Sequence, residues 1–432
     1  MSDSPQISIT PMSALVDTPL KIQLSGFDPQ QTVMLRSQMT DSAGIIWQAQ
    51  ANYQTDADGQ IDLDAHAPIS GTYTTADAMG LIWSMTPTTE ADRYAMFTRP
   101  PDLAPLIVQF EALIEDEVVA QAQVERLHIA DGVKRVVVRE NGLFGTLFLP
   151  AGEAPFPAIT LVSGSGGGVY EYRAALFAAH GYAAFTLAYF NYETLPKILV
   201  DIPLEYFQTA IDYLQNRDDI DGERLAITGG SRGGELSLLL GSVFPQYKAV
   251  MADVPSGVVW GGFGQDPSEG NKPAWVYKGA TIPYMDSDYD PEIYGYYADY
   301  SERGEAIPGT PGFLETMRRN GTLMKSAEIQ VEKINGAVLL ISGEDDQMWP
   351  STQLANVAIE RFKASEFQHP YEHVSYPGAG HLITPPYSPT TPVTMKHPVD
   401  GGFYAFGGEP EAINHANVDS WGKKLKFLAE HL

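Results

Sequence analysis

The chain has 432 residues, with 40 glycines, 31 prolines, no cysteine, and 27 basic against 54 acidic side chains, a formal net charge of −27. That length gives room for two or three domains, and the missing cysteine excludes disulfides, cysteine zinc sites, iron–sulfur clusters and a thiol nucleophile. The negative excess argues against nucleic acids and anionic membranes, which need a basic footprint.

The opening MSDSPQISIT lacks a basic segment followed by an apolar run, and no apolar stretch reaches the roughly 20 residues of a membrane span. The ending LAEHL is not a peroxisomal or retention signal. The expectation is a soluble cytoplasmic protein.

From about residue 6 to 130 short β-like runs alternate with turns: LKIQLSGF (20–27), TVMLRSQM (32–39), GIIWQAQANY (44–53) and IVQFEALI (107–114). In the first, Leu20, Ile22 and Leu24 alternate with Lys21, Gln23 and Ser25, the period of a half-buried strand. Regular short strands without a helical period predict a β-sandwich of immunoglobulin type over residues 1–130. Its 17 acidic and 5 basic residues read as a solvated surface.

After about residue 131 strand-like and helical runs alternate. A hairpin over 133–150 and an apolar strand over 156–164 precede a helix over 170–181 and a strand over 182–190. Leu204, Phe207, Ile211 and Leu214 recur at helical spacing. A strand (225–230), a helix (231–244), strands at 247–254 and 338–343, and a final helix from about 413 complete a mostly parallel, doubly wound α/β pattern over 131–432. Residues 255–330 lack clear strands and read as an insertion, including the acidic, tyrosine-rich 284–305. Residues 382–410, rich in Pro and Gly, read as a long loop.

The strongest chemical signal is Gly229-Gly230-Ser231-Arg232-Gly233, a G-x-S-x-G between an apolar strand and a helix. A sharp strand-to-helix turn exposes the serine, flanking glycines relieve clashes, and the helix N-terminus offers N–H groups to an oxyanion. A serine needs a base, and the base an orienting carboxylate. Asp345 and Asp346 follow the strand ending at Gly343, and His381 lies in a glycine-bounded turn after a later strand. The order Ser, Asp, His is that of an α/β-hydrolase, in which the carboxylate falls about three residues past the strand end, favouring Asp346 over Asp345. Ser163-Gly-Ser-Gly-Gly-Gly168 stands where that fold draws its second oxyanion donor, so N–H groups of Arg232 and of the Ser165 and Gly166 stretch are the candidates. A dinucleotide loop fails on spacing, because Val169 stands where a third glycine is needed. His369-Pro-Tyr-Glu372-His373 matches the H-x-x-E-H zinc pattern, but Pro370 and the β-rich residues after it favour extended chain. No metal and no cofactor is expected.

Nearly the whole chain resembles the acyl-CoA thioester hydrolase and bile acid-CoA:amino acid N-acyltransferase family. The resemblance rests on GFDPQQTVMLRS (26–37), DADGQIDL (56–63), MGLIWSMTP (79–87), YEYRAALFAAHGYAAFTLAYFNYETLP (170–196), GGSRGGELSL (229–238), WVYKGATIPY (275–284), ISGEDDQMWPS (341–351), YPGAGHLITPPY (376–387) and the closing FGGEP with HANVDSWGKKLKFLAEHL. It implies a β-sandwich followed by an α/β-hydrolase, with Ser231, Asp346 and His381 as the triad. It also implies hydrolysis of acyl-CoA to a carboxylic acid, a fatty one first, and CoA. The conjugating branch typically uses cysteine, which this chain lacks, so water is favoured as acceptor. The competing expectations are a carboxylesterase or dienelactone-type hydrolase, and an acyl-CoA:amine N-acyltransferase. CoA carries several phosphates, and Lys272, Lys278, Arg318, Arg319 and Lys325 are candidates to bind them.

Overall fold

A computed structural model describes residues 4–286 and 291–432. It divides into two units: Met1–Ala130 with Thr384–Pro392 and Glu409–Val418, and Asp131–Ile383 with Val393–Gly408 and Asp419–Leu432.

The first unit is a β-sandwich. One sheet orders Ser13–Leu15, Glu117–Leu127, Leu106–Ile114, Thr32–Thr40, Ile46–Gln54 and Ser70–Gly71, with Thr86–Pro87 also on Ile46–Gln54; the other orders Gln6–Thr10, Lys21–Ser25 and Ile61–Asp62. Strand Thr32–Thr40 buries every second residue, Val33, Leu35, Ser37 and Met39, as alternation requires. They join Ile22 and Leu24 of the opposite sheet, with Trp47 and Phe110, in one core. Ser37 is tolerated there because its hydroxyl donates to the Leu81 carbonyl. Two segments from the C-terminal half belong to this unit. The Thr390 N–H donates to the Trp83 carbonyl at 2.9 Å, and the Thr391 hydroxyl to the Met85 carbonyl at 2.6 Å.

The second unit holds an eight-stranded sheet: β1 (Lys134–Val138), β2 (Phe144–Leu149), β3 (Phe156–Val162), β4 (Ala183–Ala188), β5 (Ile220–Gly230), β6 (Tyr247–Asp253), β7 (Ala337–Gly343) and β8 (Tyr371–Tyr376), in spatial order 1-2-4-3-5-6-7-8. The first two ladders are antiparallel and the rest parallel. With the N-terminal sandwich this is an α/β-hydrolase fold. Its helices are α1 (Glu171–Ala179), α2 (Glu205–Gln215), α3 (Arg232–Val243), α4 (Pro291–Arg303), α5 (Thr310–Arg319), α6 (Gly321–Ala327), α7 (Ser351–Ala364) and, from Asp419 onward, α8 (Pro410–His431). Every residue of β4 and β7 is buried, which is why these strands read as unbroken apolar runs.

The stretch read as an insertion is more structured than its sequence suggests. It contributes α4 to α6 and the hairpin of Trp275–Tyr277 and Ala280–Thr281, which pairs with Ile202–Pro203 in a small ladder. Part of the tyrosine-rich segment, 287–290, lies outside the described residues. The stretch read as a loop over 382–410 contains a hairpin of Thr394–Lys396 and Phe403–Ala405. In both places the pairs are two or three residues long, too short to show a period.

One buried ion pair sits at the end of β6. Lys424 of α8 places Nζ 2.6 Å from Asp253 Oδ2, with side-chain exposures of 6% and 5%. Burial pulls the lysine below its ordinary range and Asp253 opposes that pull. Replacing Lys424 by Met removes the ammonium in contact with buried Asp253 and leaves it only the longer-range attraction of Arg173. The expected cost is about 3–5 kcal/mol, read as a lower urea midpoint for this unit. Adding Asp253→Asn to that variant should recover part of the loss, and an unchanged midpoint in the single variant contradicts the assignment.

Candidate active site

The end of β5 runs into α3 through a single residue. Ser231 has φ +59° and ψ −125°, a left-handed backbone that a side chain rarely adopts. Its N–H donates to the Asp253 carbonyl at 2.9 Å, and its own carbonyl accepts from the N–H groups of Gly234 and Glu235 at 2.8 and 3.1 Å. The flanking glycines are obligatory for space. A Cβ on Gly229 would stand 2.4 Å from the Gly233 carbonyl oxygen, and one on Gly233 would stand 2.6 Å from that of Ser163. Hence the G-x-S-x-G spacing follows from three backbone segments crowding one turn.

The acid and base come from the next strands. Asp346 follows β7 by three residues, and its Oδ2 lies 2.8 Å from His381 Nδ1. Its Oδ1 accepts from the N–H groups of Met348 and Trp349 at 3.0 and 3.2 Å, fixing the carboxylate. Both side chains are buried, at 1% for Asp346 and 7% for His381. With Nδ1 donating to the carboxylate, Nε2 is left as the basic nitrogen. The imidazole stacks on Phe406 and meets the edge of Trp349 at 6.2 Å between centroids. Asp345 instead accepts the Gly408 N–H at 3.0 Å.

The loop after β3 lies beside the serine, with the Gly164 Cβ position 3.3 Å from Ser231 Cβ. Gly167 and Gly168 take φ of +70° and +73° and give their N–H groups to the carbonyls of Gly164 and Phe190. Asn191 Nδ2 donates to the Gly166 carbonyl at 2.9 Å. The N–H groups of Ser165 and Gly166 make no backbone bond among the described residues.

A cavity of about 410 Å³ opens at Ser231 and Ser165. Trp260, Phe263, Ile307, Phe313, Met348 and Trp349 give it apolar walls, joined by Tyr294 and Tyr297 of α4. Part of the tyrosine-rich segment therefore lines the site. The Arg232 guanidinium turns into the wall, donating to the carbonyls of Trp260 and Gly261 at 2.9 and 3.0 Å and meeting Glu235 at 3.2 Å. Of Arg232, the backbone N–H at the start of α3 is the candidate oxyanion donor.

The five cations proposed for phosphate are not brought to this cavity. Arg318 and Arg319 both bind Glu315, and Lys325 binds Glu328 at 2.7 Å. Lys278 lies over the Tyr277 ring, and the Lys272 backbone carbonyl accepts the Gly262 N–H. In so acidic a chain, a carboxylate three or four residues away captures a helical cation. The H-x-x-E-H stretch runs into β8, where His373 bonds Ser342 and Asn356.

Sequence reasoning missed Glu235, which is fully buried. Its oxygens accept from Trp275 Nε1 at 2.9 Å and the Trp260 N–H at 3.3 Å. Burial pushes its pKa up to about 7 against the opposing pull of Arg232. A lone acid in the apolar run of α3 was the available signal. The native state holds this proton up to about pH 7, whereas the unfolded chain releases it from about 4.5. Stability from this group is thus lost as pH rises through that window. Glu235→Gln should lose less stability than the parent between pH 5 and 8, and equal slopes in thermal midpoints refute this.

Comparison with known proteins agrees with this architecture. The family model for the acyl-CoA thioester hydrolase/BAAT N-terminal region matches residues 17–140, and that for the BAAT/acyl-CoA thioester hydrolase C terminus matches 202–272 and 305–432. The mouse peroxisomal succinyl-coenzyme A thioesterase is 32% identical over 96% of this chain and 94% of its own length. The mouse mitochondrial acyl-coenzyme A thioesterase 2 is 34% identical over 96% and 87%. Human acyl-coenzyme A thioesterase 1 is 33% identical over 96% and 94%. Glycine-forced elbow, sandwich and hydrolase sheet coincide with matches along nearly the full length: the chain is an enzyme of the acyl-CoA thioester hydrolase/BAAT family.

Proposed function

We propose that the protein hydrolyses acyl-CoA thioesters to a free carboxylic acid and CoA through Ser231, His381 and Asp346. The observation that carries this reading is the buried Asp346–His381 pair, which follows the carboxyl ends of β7 and β8 as the left-handed, glycine-flanked Ser231 follows that of β5. Ser231 Oγ passes its proton to His381 Nε2 and attacks the thioester carbonyl. The N–H groups of Arg232 and of the Ser165 and Gly166 stretch hold the oxyanion. Collapse breaks the C–S bond, and the thiolate leaves with the proton from His381. Water, deprotonated by His381, then attacks the acyl-enzyme; the acyl–Oγ bond breaks, His381 returns the proton to Ser231 Oγ, and the acid is released. Asp346 keeps the imidazole in the tautomer that both steps use.

The apolar walls favour an alkyl acyl group, in keeping with a fatty acid product. A thiol nucleophile is absent throughout the chain, which supports water over an amine as acceptor.

Released thiol from an acetyl- to palmitoyl-CoA panel tests the reading. Ser231→Ala should abolish release, and Asp346→Asn should lower kcat by about 10⁴-fold with the fold intact. Turnover of simple oxygen esters without any acyl-CoA would overturn it. The charge of −27 adds a second expectation, because substrate and enzyme repel. Raising ionic strength from about 0.01 to 0.15 M shortens the screening length from about 30 to 8 Å. Over that range kcat/KM for acyl-CoA should rise while that for a neutral p-nitrophenyl ester stays level. A fall with salt would reveal a cationic phosphate site instead.

A further inference from the structure

A second histidine lies behind the oxyanion loop. His397 is buried, 3% exposed, and its Nε2 is 3.0 Å from Ser165 Oγ. The Val399 N–H donates to His397 Nδ1 at 3.2 Å. That bond makes Nδ1 an acceptor, so Nε2 carries the hydrogen and donates it to Ser165 Oγ. The Ser165 hydroxyl hydrogen is then left to point elsewhere, and Ser165 lines the cavity that Ser231 lines.

The surroundings lock this arrangement. His397 N–H donates to the Gly402 carbonyl, and its carbonyl accepts from Gly401, both within the turn of the hairpin. Phe263 lies 4.8 Å and Tyr404 6.1 Å from the ring, each edge-on. Pro398 sits 3.3 Å from the Cβ position of Gly166, so the segment bearing His397 packs on the oxyanion loop. Asp400 Oδ1 stands 3.5 Å from Nδ1, while its Oδ2 accepts the Tyr404 hydroxyl at 2.5 Å and its Oδ1 the Gly402 N–H at 3.0 Å. Among the described residues the charged and titratable groups facing His397 are Asp400, His381 and the Tyr404 phenol. Burial keeps the imidazole below its ordinary range, with Asp400 opposing and His381 adding to the effect.

We propose that the Ser165 hydroxyl is a third donor to the oxyanion, and that His397 is the positioning residue that holds it in donating orientation by occupying its acceptor lone pair. The inference rests on the triad reading above. It specifies how this loop stabilises charge, because a hydroxyl committed by a buried imidazole needs no reorganisation when the oxyanion forms. The oxyanion is absent from the bound ground state and forms only on the way to the tetrahedral intermediate, so losing this donor lowers kcat and kcat/KM together and leaves KM in place.

The test is a mutant cycle read with the acyl-CoA turned over fastest in the panel. Ser165→Ala should lower kcat by about 10²-fold at constant KM, and Ser165→Thr, which keeps the hydroxyl, should retain most activity. His397→Ala should lower kcat to a similar degree, and the double variant Ser165→Ala/His397→Ala should be no worse than Ser165→Ala alone. His397→Gln, whose amide can still donate to Ser165, should recover part of the loss and guards against a folding defect. Wild-type kcat in Ser165→Ala, or a double variant losing the product of both single losses, overturns the proposal. Ser231→Ala separates the two readings. If that variant still turns over, the triad has failed; if it is dead and Ser165→Ala is unimpaired, only the Ser165 and His397 assignment has failed.

Discussion

The site depends on one backbone constraint, the left-handed conformation of Ser231 at the junction of β5 and α3. A residue with a Cβ held at φ +59° costs roughly 1–3 kcal/mol. The turn persists because its neighbours leave no alternative. The Ser231 N–H is committed to the Asp253 carbonyl on β6, and its carbonyl to the first turn of α3. Gly229 and Gly233 bring chain segments to distances that a Cβ would forbid, and Gly164 leaves only tight room for one. The same crowding that strains the serine carries the oxyanion loop to its side. Chemistry and strain thus have one origin.

Charge inside this fold is handled pairwise. Glu235 and Arg232 share a buried contact, and so do Asp253 and Lys424. Each pair braces a segment next to Ser231: the first ties α3 to the backbone of Trp260 and Gly261, and the second anchors the strand whose carbonyl holds the serine N–H. Buried pairs of this kind add little net stability relative to apolar packing, but removing one partner is costly. Their value at this place is geometric, because they fix the walls that surround the serine.

How much the sequence disclosed follows from which interactions are local. The elbow was legible because its requirements fall within five consecutive residues, and Asp346 and His381 because each follows a strand that reads as apolar. The sandwich was legible from strict alternation, as in Leu20, Ile22 and Leu24. Glu235, Asp253, Lys424 and His397 were not legible as a group. The contacts that give them a role mostly join residues far apart in sequence: Lys424 and Asp253 are 171 residues apart, His397 and Ser165 232, and Glu235 and Trp275 40. The cations chosen for phosphate illustrate the reverse case. They were selected by type, and for three of them, Arg318, Arg319 and Lys325, a carboxylate three or four residues away meets the side chain.

That outcome bears on how so acidic an enzyme would meet a phosphorylated substrate. The cavity at Ser231 is bounded largely by aromatic and aliphatic side chains, and Arg232, the one cation in its lining among the described residues, is turned toward carbonyls and Glu235. On the proposed function, affinity at this cavity would come from burying an apolar acyl group, at about 25 cal/mol per Å². Burial of that kind does not depend on the sign of the protein's charge. Electrostatics enters instead at the rate of encounter, where screening relieves the repulsion. The acid surplus and a CoA substrate are compatible on these terms, because the group that selects the substrate and the group that carries its charge are different parts of one molecule.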